Sequence, residues 1–187
     1  MFLRSKEIAF TGIMIAIGVL LVMLGGFFEG STLFFLAAAS FLTGVVFRCV
    51  SPGTSLFYVV GTFLLGVILA PQKLYLATFL AFSIYILGIE CMEKAFAEKE
   101  TLIAKGKIWV LKAVLYHLLL GISVFLVQKF FGLEEVFAKG IFEKIKEYQI
   151  LLVIVLIVMA ELFWLVFDRA YVYFQKRYGN TLKHIGR

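Results

Sequence analysis

Charge is what this sequence has least of. Asp, Glu, Lys and Arg supply 16% of its 187 residues, while 63% are hydrophobic; soluble domains carry about 25% charged and roughly 45–50% apolar residues. A water-soluble fold of this length needs a polar skin that these residues cannot cover. Cysteine is nearly absent too. Cys49 and Cys91 are too few for a disulfide framework and lack a CxxC spacing. They are read as apolar filler at helix ends on the reducing side of a membrane. The two prolines, Pro52 and Pro71, both fall at breaks between apolar runs. Enzyme signatures are missing: there is no HExxH, no GxSxG, no Walker loop and no metal-ligand cluster of His or Cys. No catalytic role, metal or cofactor is therefore expected.

What remains is apolar and arranged in long runs. Mean hydropathy is +1.02, and the charges cluster between the runs, as in a membrane protein. The pattern predicts an all-α, polytopic integral membrane bundle in one domain, with six transmembrane helices at about 8–28, 33–50, 55–70, 74–95, 108–131 and 150–174. Helices 3 and 4 are the short ones, and a re-entrant pair there is the alternative. With the first residue inside, the inner segments hold 13 Lys and Arg and the outer segments 5. That asymmetry puts both termini in the cytoplasm of a bacterial cell membrane. It also accounts for the net charge of +6 without a nucleic-acid partner. Ser51-Pro52-Gly53 reads as a turn. Between residues 133 and 149, Phe137, Ile141, Ile145 and Tyr148 recur at helical spacing, as in an interfacial helix at the outer surface.

Ionisable residues inside a span are costly and count as functional candidates. His117 lies about 9 residues into helix 5 and Glu161 about 11 residues into helix 6, roughly 14–16 Å deep from opposite faces. Sequential antiparallel helices could bring them together, to hold a ligand or proton or simply to lock two helices. Arg48 and Glu90, at inner helix ends, read as snorkelling boundary residues, and Asp168, beside Arg169, as a mark of the cytoplasmic boundary. Glu29 stands at the outer mouth between Gly25-Gly26 and Gly30, a ligand contact or a solvated loop carboxylate. Small-xxx-small pairs occur at Gly12–Ala16, Ser40–Gly44 and Ala77–Ala81. Packing within the bundle is their expected role, and docking of a partner helix the alternative. Glu134 to Lys139 is similar to the EExxxR of intramembrane prenyl-protein proteases. It has Lys for Arg and lacks the partner histidines, so that reading is rejected.

The opening stretch Arg4-Ser5-Lys6-Glu7-Ile8-Ala9-Phe10-Thr11-Gly12-Ile13-Met14-Ile15-Ala16, with the six-helix layout, resembles the substrate-binding S-components of energy-coupling-factor vitamin transporters. The resemblance implies a non-catalytic transport subunit that binds a small polar, vitamin-like solute in its outer half. Gly12 and Ala16 would dock a transmembrane coupling subunit whose ATPase partners hydrolyse ATP. Glu29, Tyr85, His117 and Glu161 are the candidate ligand contacts. The middle of the chain is also similar to a group of small Gram-positive bacterial membrane proteins, through Leu69-Ala70-Pro71-Gln72-Lys73, Tyr85, Glu93-Lys94 and Trp109 to Lys112. That group supplies no activity. The other functional class to weigh is an envelope scaffold acting through helix–helix contacts.

Overall fold

The computed structural model describes residues 5–70, 73–96, 102–131 and 149–186, and every regular element among them is helical. Six long helices follow in order: α1 (Ser5–Phe27), α2 (Thr32–Cys49), α3 (Pro52–Leu69), α4 (Leu74–Phe96), α5 (Leu102–Phe131) and α6 (Gln149–Gly186). A short 3-10 turn, Glu29–Ser31, joins the first two. Helices α1 to α5 each contain a stretch long and apolar enough to cross a bilayer. The sixth holds the run 150–167, interrupted by Glu161 alone. The chain is an all-α helical membrane bundle. Its helices alternate in direction, giving a near end, where α1 begins and α6 finishes, and a far end.

The two short expected spans are full helices of 18 and 23 residues, about 27 and 35 Å long, against a hydrocarbon core of about 30 Å. Pro52 and Gly53, expected in a turn, instead form the first turn of α3. The reason is local: Ser51 Oγ accepts a hydrogen bond from the Thr54 amide at 3.1 Å, and Pro52 sits where a helix lacks an amide partner anyway. Ser51→Ala should therefore lower unfolding stability by about 1 kcal/mol. A thermal melt in mild detergent measures this, and an unchanged midpoint would show that the cap contributes nothing. Helix α5 starts at Leu102 instead of 108, and α6 runs on to Gly186 instead of 174. Hydropathy marks where the membrane ends, whereas Lys- and Arg-rich segments continue as helix in water. The interfacial helix expected at 133–149 lies, except for Gln149, outside the described residues, as does the Glu134 to Lys139 stretch.

In lipid, apolar side chains gain little by leaving hydrocarbon for a neighbour, so close packing and interhelical hydrogen bonds hold helices together. Both are present in the α1–α4 core. Gly18 on α1 leaves room for α3, since a Cβ there would fall 3.0 Å from Tyr58 Cζ and 3.1 Å from Thr62 Oγ1. The Tyr58 hydroxyl continues across to donate to the Ala39 carbonyl of α2 at 2.7 Å, and Ser55 Oγ donates to the Thr43 carbonyl at 2.7 Å. At the far end, Thr32 Oγ1 donates to the Gly25 carbonyl at 2.7 Å, satisfying an acceptor where α1 runs out. A second core joins α2, α4 and α6 through Phe41, Ile86, Ile89, Phe167 and Tyr171. Helix α5 packs chiefly on α4, and α6 chiefly on α2. The other faces of α5 and α6 are exposed apolar surface, suited to hydrocarbon.

Candidate functional site

Five ionisable side chains from four helices meet toward the near end. Arg48, at the last turn of α2, lays its guanidinium against Glu90 of α4, with Nε 2.8 and 2.7 Å from the two carboxylate oxygens. Its Nη2 reaches Glu93, one turn along α4, at 3.0 Å. Lys112 of α5 lies 3.5 Å from Glu93 and 3.2 Å from Asp168 of α6. Glu90 also accepts a hydrogen bond from the Tyr171 hydroxyl, and Gln175 Nε2 donates to the same hydroxyl at 3.2 Å. The glycine of the Ser40–Gly44 pair makes this possible. A Cβ at Gly44 would collide with the Tyr171 hydroxyl and fall 2.7 Å from Gln175 Nε2. Two cations thus face three carboxylates, with Glu90 and Lys112 buried. Ions removed from water are tolerable in such a setting because each finds hydrogen-bonded partners of opposite sign.

Arg48, Glu90 and Asp168 are therefore not separate boundary residues, as their places near helix ends suggested. They face inward and tie α2, α4, α5 and α6 together. Glu93 and Lys112, noted in the sequence only within a stretch similar to other membrane proteins, complete the cluster with Tyr171 and Gln175, and none of the four was expected in a site. The available signal was weak: a lone arginine at one helix end, and two carboxylates one turn apart at the matching end of another.

On the far side of this cluster lies a cavity of about 640 Å³ between α4, α5 and α6. Its walls are apolar, including Leu80, Leu119, Leu126 and Phe163. Its floor is aromatic. Tyr116 and Trp164 stack with ring centroids 5.5 Å apart, and Tyr85 meets Tyr116 edge-on at 6.5 Å. Trp164 Nε1 donates to the Tyr85 hydroxyl at 2.6 Å, and that hydroxyl lies 3.4 Å from Asp168 Oδ1. Tyr85 therefore touches both the cavity and the ion cluster. Ala77 and Ala81 line the cavity, so this small-residue pair widens a space where packing between helices was expected.

Of the four candidate ligand contacts, Tyr85 lines the cavity. His117 and Glu161 do meet, Nε2 to Oε1 at 2.8 Å, but on the half-exposed outer surface of α5 and α6 rather than on the cavity wall. His117 Nδ1 lies 2.8 Å from the Ala113 carbonyl. A carbonyl only accepts, so Nδ1 carries a proton, and the bond to Glu161 then contains one more. The pair is imidazolium with carboxylate or imidazole with carboxylic acid, and is neutral either way. Neutrality lowers the cost of holding it at membrane depth. The Glu29 backbone lies in the 3-10 turn at the far end of α1, and its side chain is outside the described positions. Gly12 and Ala16 lie on the exposed face of α1, and a Cβ at Gly12 would meet nothing within 4 Å. That pair does not seat a helix of this bundle. Cys49 is buried, but Cys91 is exposed. Among the described residues, no group of three His, Cys, Asp or Glu side chains is placed to hold a metal. No protein-family model, curated protein or solved structure matches this chain, so its site is read from its own residues.

Proposed function

We propose that the chain is a non-catalytic binding subunit of a membrane transport assembly, holding a small molecule in the cavity between α4, α5 and α6. The single observation that carries this reading is the cavity itself. A solid bundle would be expected of a scaffold, whereas 640 Å³ lies within the range of about 300–1,000 Å³ typical of ligand sites. The lining narrows the expected polar solute to a molecule with an apolar body, oriented by few polar groups. The excess of Lys and Arg toward the near end supports placing both termini in the cytoplasm, with the cavity toward the outside. The open Gly12–Ala16 face supports docking of a coupling subunit, which would bring its own ATPase partners.

The test is native mass spectrometry of the gently purified protein. One small molecule retained per chain, and lost in Ala81→Trp, is the expected result. A chain that never retains a molecule, together with an Ala81→Trp variant that behaves identically, sinks the binding reading and leaves the scaffold. Gly12→Leu with Ala16→Leu should independently abolish co-purification of a transmembrane subunit and its ATPases. Unaltered co-purification would remove the docking assignment.

A further inference from the structure

We infer that the cavity takes the hydrocarbon chain of an anionic amphiphile from the far leaflet, with its phosphate-type head held by Lys73 and Lys129. The inference rests on the binding reading above and names the class of ligand.

Depth is the first argument. The lining runs from Ala77 to Tyr85 on α4 and from Leu126 to Tyr116 on α5, about 12 and 15 Å along the helix axes. Half of a hydrocarbon core of about 30 Å is about 15 Å. The cavity therefore reaches from the far end to the middle of the membrane and stops at the aromatic floor, one leaflet deep. Access is the second argument. Leu120, Ile122 and Leu126 line the cavity and are 37–48% exposed, so no other part of the described bundle covers them. The wall they form is shared with lipid, so a chain can enter sideways without crossing water.

Charge at the far end selects the headgroup. Lys73 lies four residues before Ala77, and Lys129 three residues after Leu126, each about one turn beyond a lining residue. Both lysines are exposed. Among the described residues, the stretches 73–84, 119–131 and 149–160 contain these two cations and no carboxylate, and the next carboxylate along α6, Glu161, is bonded to His117. Two ammonium groups at headgroup level favour a phosphate over a zwitterionic or neutral head, while the walls below offer an acyl or isoprenoid chain a largely apolar surface broken by the small hydroxyls of Thr78 and Ser123.

The test uses the full chain in zwitterionic detergent with two probes of identical chains, phosphatidylglycerol and phosphatidylcholine, each carrying a photoreactive group near the chain end. Phosphatidylglycerol should label residues around Tyr85, Tyr116 and Trp164 at one molecule per chain, with about tenfold or greater preference over phosphatidylcholine. Lys73→Gln with Lys129→Gln should cut that preference to about threefold or less. Equal labelling of the floor by both lipids overturns the anionic class but leaves the cavity as a binding site. Labelling spread equally over the exposed face of α1 shows only surrounding lipid and overturns the site as well. Since Ala81→Trp also enlarges a small-residue position on α4, Leu119→Trp serves as a second filler, and loss of floor labelling in either folded variant is the expected result.

Discussion

Arg48→Met should be the most damaging single substitution in the bundle, lowering unfolding stability by about 3–5 kcal/mol. Methionine keeps most of the apolar stem, so the loss isolates the charge. Glu90, which is only 3% exposed, would keep its carboxylate without the guanidinium that binds both of its oxygens. Glu93 would lose its 3.0 Å contact and lean wholly on Lys112, which already serves Asp168. The cluster would change from two cations against three carboxylates to one against three. Removing one partner of a buried pair costs more than removing both, because the survivor cannot return to water. The double variant Arg48→Met, Glu90→Gln should accordingly be more stable than Arg48→Met alone. Thermal unfolding in mild detergent measures both. A loss below about 1 kcal/mol for the single variant would place the cluster among solvated surface pairs.

Gly44→Ala should be the most damaging change that alters no charge. Helix propensity alone favours alanine by about 1 kcal/mol, so any net loss comes from packing. The new methyl would strike the Tyr171 hydroxyl and crowd Gln175. Tyr171 cannot swing away freely, because its hydroxyl donates to Glu90 and accepts from Gln175. Separation of α2 from α6 is the remaining response, at about 1–3 kcal/mol for overpacking. Adding Tyr171→Phe removes the obstructing oxygen and should restore part of the loss. Gly12→Ala is the internal control: with nothing within 4 Å of its Cβ, it should be neutral or slightly stabilising. Equal effects at the two glycines would contradict the close approach of α2 and α6.

The spans were legible because hydropathy reports directly on which segments prefer hydrocarbon. The pairing of His117 with Glu161 was legible for a geometric reason: two polar residues at matching depth on consecutive antiparallel helices have few other places to go. The ion cluster was not legible. Its contacts join residues 19 to 81 positions apart on different helices, and Arg48, Glu90 and Asp168, taken one at a time, read as boundary residues. Pairing and snorkelling leave the same trace in one sequence. The cavity was hidden for the opposite reason, since its lining is mostly common apolar and aromatic residues, with Thr78 and Ser123 as small polar exceptions. Ala77 and Ala81 fit a packing motif equally well whether a helix or an empty space lies against them. The start of α3 was misread because Ser-Pro-Gly serves both as a turn and as a helix opening, and the outcome depends on whether the serine finds the Thr54 amide.

The aromatic floor has an optical consequence. The chain has two tryptophans, and both belong to this corner: the indoles of Trp109 and Trp164 are 5.7 Å apart. Tryptophan emission from the unlabelled protein therefore originates at a single place. Trp164 donates its indole proton to Tyr85 and stacks on Tyr116, so a change in the tyrosines alters the dipole and the ring that the excited indole senses. Trp164 is buried and lines the cavity while Trp109 is exposed, so in Trp109→Phe the emission wavelength and its quenching by brominated chains would register events at the bottom of the cavity. The protein contains its own fluorescent gauge, read without attaching a dye.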